Sequence, residues 1–164
     1  MRALLISAVT ALVLDQASKY AVVHGLELAR KRAIDVLPPV LNFRYGENRG
    51  INFGLFEGES DASRWILVAF SLVVVAAVVV WIRRSPRPTT MLVSAGLLIG
   101  GAIGNVVDRL YYGYVLDFLN STCCGLSNPF VFNVADIFIF IGAAGLILFD
   151  NRNVPPGPKG KKAA

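Results

Sequence analysis

This 164-residue chain contains one histidine, His24, and two cysteines, Cys123 and Cys124. A lone imidazole cannot serve a zinc protease of the HExxH type, which needs two. A Ser/His/Asp set is also implausible, because His24 lies outside the polar stripes described below. Adjacent cysteines cannot supply the spaced ligands of a zinc site, and two cysteines make no disulfide framework. They read as two small loop residues. A P-loop and a dinucleotide fingerprint are absent as well. Charge is scarce too: 16% of residues are charged, against about 25% in an ordinary soluble domain. Hydrophobic residues make up 55% and lie in long blocks, and the mean hydropathy is +0.58. These features exclude a soluble domain with a large core and define an integral membrane protein. The length allows one domain, residues 1–150, and a basic tail, 151–164, expected to be disordered.

The formal charge of +5 is no sign of nucleic-acid binding. Arg83, Arg84 and Arg87, and the tail residues Arg152, Lys159, Lys161 and Lys162, flank apolar blocks. Short basic flanks of that kind mark the cytoplasmic side of a membrane protein.

Four apolar segments follow, at about 3–23, 65–82, 90–107 and 129–149. Each is near the ~20 residues that cross ~30 Å of hydrocarbon. The pattern predicts an all-α membrane protein, a bundle of four transmembrane helices. The first run is interrupted by Asp15, Gln16 and Lys19 and then continues as "YAVV", so it is read as a retained span rather than a signal peptide. The second carries Trp65 and Trp81 at its ends, as expected at membrane interfaces. The third spaces Gly96, Gly100 and Gly104 on one face, which invites close approach by another helix. Residues 24–64 form a polar outer loop. Its centre, "LNFRYGENRGINFGLF", alternates apolar and polar residues, which suggests strands and turns. The termini and the 83–89 connection carry eight Lys and Arg, packed into short flanks, and the other two loops carry seven. That density favours both termini in the cytoplasm.

Charged and amide side chains inside apolar spans are rare, and each is a candidate for function. Asp15, Gln16 and Lys19 lie toward the end of span one; Asn105, Asp108 and Arg109 close span three; Asn133 and Asp136 open span four. All therefore gather at one membrane face. Asp15 and Lys19 are spaced i, i+4 and can pair. Asn105, Asp108 and Arg109 form one helical stripe, and Asn133 with Asp136 another. Asp117, in the loop between spans three and four, is flanked by apolar residues and expected to dip toward the bundle. The chemistry left to such a set is that of paired carboxylates, which share a proton and divide the roles of general base and acid without a metal or cofactor. A small proton- or ion-coupled transporter is the alternative, since such pathways also use intramembrane Asp, Asn and Lys.

"LDQASK" (14–19), "NRG" (48–50), "GNVVDR" (104–109), "VLDF" (115–118) and "FNVAD" (132–136) resemble, in order, the sequence blocks of the bacterial lipoprotein signal peptidases, or signal peptidase II. The resemblance covers all but the tail. It implies an intramembrane aspartic endopeptidase of the bacterial cytoplasmic (inner) membrane, with its active site near the outer face. Its substrates would be diacylglyceryl-modified prolipoproteins, cut before the lipid-modified cysteine. By the same resemblance Asp117 and Asp136 are catalytic. Asn48, Asn105, Arg109 and Asn133 serve the substrate and the dyad. Asp15, Lys19 and Asp108 are structural polar residues. The implied fold adds a small extracytoplasmic β-cradle and a short interfacial helix to the four-helix bundle. Membrane lipids are the other partners, and a monomer is expected. The family often has a threonine at the position of Arg49, and "NSTCCGLSN" (120–128) matches none of its blocks.

Overall fold

The structure, a computed structural model, describes residues 1–38, 40–50, 61–121 and 128–150. Cys123, Cys124, the basic tail and the 51–56 part of the aromatic–glycine stretch lie outside these residues. Helix α1 (Arg2–Lys19) continues as a π-helical turn, Tyr20–Gly25, and is followed by the single turn α2 (Leu28–Lys31). Strands β1 (Ala33–Leu37) and β2 (Leu41–Asn48) come next. Helices α3 (Asp61–Arg83) and α4 (Thr89–Tyr112), strand β3 (Val115–Ser121) and helix α5 (Val134–Leu148) complete the order. Among the described residues three helical stretches, Arg2–Gly25, Ala62–Arg83 and Thr89–Tyr112, are long and apolar enough to cross a membrane.

The fourth segment departs from expectation. Helix α5 has 15 residues, or about 22 Å of rise, instead of the full stretch 129–149. Its start is set by Asn133, whose side chain accepts from the Asp136 N–H while the Asp136 carboxylate accepts from the Asn133 N–H, a reciprocal capping box. Residues 129–132 instead lie outside the helix, and Phe132 pairs with Leu119.

Helix α4 is the centre of the bundle, packed by α1 on one side and α5 on another, with α3 against it as well. The predicted glycine face explains how. A side-chain carbon at Gly96 or Gly100 would collide with the backbone of α1 at Leu4 and Ala8. Missing side chains let the two backbones touch, the main route to tight packing where lipid offers no hydrophobic contrast. Gly142 repeats the device between α5 and α4, facing Leu98 and Ser94. One end of the bundle is apolar: Leu4, Ile82, Met91, Ala95, Leu98 and Leu146 pack together there.

At the other end α4 stops at Gly113, whose φ of +87° is open to glycine at little cost. The chain turns at once into β3. The sheet is antiparallel in the order β1-β2-β3, and Gly46 of β2 stands opposite Asp117 of β3. Phe118 enters an apolar cluster with Val22 and Leu28 and meets the Phe43 ring edge-on at 5.8 Å. Neighbouring side chains on a strand point to opposite faces. Burying Phe118 on one face, worth about 1.5–3 kcal/mol, therefore presents Asp117 from the other.

Candidate active site

The polar residues gathered at one face are brought into a single connected cluster by α1, α4, β3 and the start of α5. Asp117 is 3% exposed and Asn133 is fully buried. The Asn133 side-chain amide donates to Asp117 Oδ1 at 2.6 Å and to Asn105 Oδ1 at 3.3 Å. Asn105 in turn donates through Nδ2 to Asp136 Oδ1 at 2.9 Å. The two aspartates are thus joined through two amides, Asp117–Asn133–Asn105–Asp136. Asp136 also accepts the Asn133 N–H at 3.2 Å and is half-buried, the more open of the pair.

Asp117 lies on a strand rather than in a loop, in the space between sheet and bundle. Burial pushes its carboxyl up from 3.8 to about 6, and the Asp136 charge pushes in the same direction, against hydrogen bonds from Asn133 and Asn48 and the charge of Lys19. Asn48, at the end of β2, is therefore a direct partner of Asp117. Its own side chain also accepts from the Gly50 N–H at 3.1 Å.

Asp15, Lys19 and Asp108 form the floor. Lys19 Nζ lies 2.8 Å from Asp15 and 2.7 Å from Asp108, with all three side chains at 3% exposure or less. The i, i+4 pair expected from sequence is present, and Asp108 joins it. Asp108 is fully buried. Arg109 is half-buried. It donates to the Asn105 carbonyl at 3.3 Å, and its charge acts on Asp136, Asp117 and Asp108. Asn105 has both ends of its amide engaged inside the cluster.

Gln16 is a member that spacing arguments pass over. Its Nε2 donates to Asp108 Oδ1 at 2.9 Å and to Asp15 Oδ2 at 3.1 Å. Its only signal is an amide within an apolar span. Asn120 escapes them too. It is fully buried and donates to the carbonyls of Asn128 and Phe130 at 2.8 and 2.9 Å, tying β3 to the strand-like lead into α5.

Of the four carboxylates in this connected set, Asp15 and Asp108 are engaged by Lys19, while Asp117 lies deep and Asp136 is more open, with no histidine among them. The fold is that of a bacterial membrane enzyme. It superposes on one solved by the in meso method at 1.9 Å resolution with a TM-score of 0.78, at 25% identity, over 94% of this chain and 96% of the other. A second such structure, at 2.3 Å resolution, gives a TM-score of 0.72 at 26% identity over 100% and 96%.

Sequence comparison narrows the class. The lipoprotein signal peptidase of Rhodopseudomonas palustris is 41% identical over 159 residues, 94% of each chain. That of Alteromonas mediterranea is 44% identical over 149 residues, 90% of this chain and 79% of its own. The family model of signal peptidase (SPase) II matches residues 7–150. The chain belongs to the signal peptidase II family and is a multi-pass membrane peptidase. The carrier alternative finds no support, as the polar groups stay at one end of the bundle and the family is one of peptidases.

Proposed function

We propose that the chain is an aspartic endopeptidase that removes the signal peptide from diacylglyceryl-modified prolipoproteins, cutting before the lipid-modified cysteine. The observation that carries this reading is the amide-linked pair Asp117 and Asp136 at the polar end of the bundle. The names of the relatives supply the substrate class.

In the proposed reaction Asp117, buried and shifted toward its protonated form, donates a proton to the scissile carbonyl oxygen. Asp136, held by two N–H donors, takes a proton from the attacking water. The tetrahedral intermediate then collapses. The proton on Asp136 passes to the leaving amine as the C–N bond breaks, and the carbonyl returns its proton to Asp117. Arg109 and Asn48 would meet the substrate backbone beside the dyad. The acyl chains of a lipid-anchored substrate stay in the bilayer, so a site at one end of the spans meets the scissile bond near the membrane surface.

The same reading makes α5 the fourth crossing, places both termini in the cytoplasm and sets the dyad near the outer face of the bacterial inner membrane. It takes the protein as a monomer among lipids. The test is cleavage of a diacylglyceryl-modified prolipoprotein by purified protein in detergent with EDTA present. Wild type should cleave, and folded Asp117→Asn and Asp136→Asn should each lose turnover by at least about a thousandfold. Cleavage at the wild-type rate by either variant would overturn the dyad.

A further inference from the structure

Both carboxylates of the floor hold backbone as well as cation. Asp15 Oδ1 accepts the N–H of Ala135 at 2.9 Å. Asp108 Oδ2 accepts the N–H of Leu116 at 3.1 Å. Ala135 immediately precedes Asp136, and Leu116 immediately precedes Asp117. Each aspartate of the dyad therefore follows a residue whose N–H is gripped by a buried carboxylate of the bundle.

Lys19 stands between the two grips. Its ammonium reaches Asp15 Oδ2 at 2.8 Å and Asp108 Oδ2 at 2.7 Å, and Asn105 Oδ1 at 3.3 Å. An ammonium has three N–H donors and no acceptor, so its capacity is filled by three oxygens on two helices. Its third bond has a further effect. Asn105 Oδ1 also faces the Asn133 amide nitrogen at 3.3 Å. With two donors on its oxygen, the Asn105 amide has one orientation, and its Nδ2 is turned to Asp136.

We propose that Lys19 is a positioning residue of the dyad: it ties both backbone grips to one buried charge, sets the Asn105 amide, and so fixes how far apart and at what angle Asp117 and Asp136 stand. The proposal rests on the dyad reading above. It gives Lys19 a part in turnover beyond holding helices together, since small errors in the placement of reacting groups cost rate steeply.

Lys19→Met alone leaves two buried carboxylates facing each other and is open to misfolding. Lys19→Met/Asp108→Asn keeps the trio's net charge, and the amide that replaces the Asp108 carboxylate retains a side-chain oxygen for the Leu116 N–H. Asp108→Asn alone is the control, since Lys19 there still reaches Asp15 and Asn105. Prolipoprotein cleavage and thermal unfolding in detergent would be measured for these and for Asp136→Asn. The double variant should unfold within about 5 °C of the Asp108→Asn control while its kcat falls at least about tenfold below that control, with KM within about twofold. Equal kcat in the double variant and the control, or a loss carried by KM, overturns the proposal and leaves the dyad reading standing. Cleavage by Asp136→Asn at the wild-type rate removes the dyad reading and this proposal together.

Discussion

The two ends of the α1–α4 contact use the same glycine spacing for opposite purposes. At Gly96 and Gly100 the missing side chains bring backbone against backbone, and the surroundings are Leu4, Met91, Ala95 and Leu98. One repeat further on, at Gly104, the freed space holds a carboxylate: a side-chain carbon there would sit 2.6 Å from Asp15 Oδ2. Around Gly96 and Gly100 the two helices meet through backbone and small side chains. The polar end encloses Asp15, Lys19 and Asp108 at 2% exposure or less, and each carboxylate is satisfied by an ammonium and a backbone N–H. A buried charge is tolerable only when it is paired and hydrogen-bonded. The comparison teaches that one packing motif can seal a bundle at one end and build a charged scaffold at the other.

The strongest way to break this contrast is Asp15→Ala. It strips the Ala135 N–H of its acceptor and Lys19 of one of two carboxylates. A loss of about 3 kcal/mol is expected, read as a fall in the detergent melting temperature together with lost cleavage. A variant as stable as wild type would show that the polar end carries no structural weight.

A paired substitution sharpens the contrast. Gly100→Ala and Gly104→Ala should each cost about 1–3 kcal/mol through overpacking, so unfolding curves should shift alike. Activity should separate them. Gly104→Ala pushes on Asp15 and should lower kcat by about tenfold or more, whereas Gly100→Ala should keep near wild-type kcat in the folded fraction. Parallel losses of activity would erase the distinction between the two ends.

Asp117 allows a test by pH. Its folded carboxyl titrates at about 6, above the ordinary 3.8. The unfolded chain releases that proton first as pH rises, so the side chain costs the fold increasing stability between about pH 4 and about pH 6, with the full cost above that range. Asp117→Asn should therefore be more stable than wild type at neutral pH, by on the order of 3 kcal/mol. The gain should vanish below about pH 4. A gain independent of pH would mean that the charged form is not what the fold resists.

The smallest effect is expected at the far end. Arg87 and Asp150 approach at 3.5 Å with side chains 13% and 24% exposed. Arg87→Ala should cost under about 1 kcal/mol and leave kcat unchanged, which steady-state cleavage and a melting curve would check.

Much of this site is legible along the chain because it obeys helical spacing. Asp15 with Lys19, the Asn105–Asp108–Arg109 stripe and the Asn133–Asp136 pair all follow from three- and four-residue steps, as does the glycine face. What spacing cannot supply is contact between distant segments. The Asp15 grip on Ala135 joins residues 120 positions apart, and nothing in either segment names the other. The strand under Asp117 depends on pairing with β2, so a short apolar run beside a loop reads as loop. The start of α5 is obscured because 129–132 is as apolar as the helix it precedes. Only the Asn133 cap, a polar residue followed three places later by Asp136, marks the true boundary.

The four-residue spacing of Asp15 and Lys19 has one more consequence, for biogenesis. Helix α1 brings its acid and base into the bilayer as a self-neutralised pair before any other segment is in place. Asp108 of α4 finds its cation already waiting when that helix arrives, and α5 can then seat its first turn on Asp15. The order of the chain thus lets Lys19 pair within its own helix before Asp108 and the Ala135 N–H are added to the set.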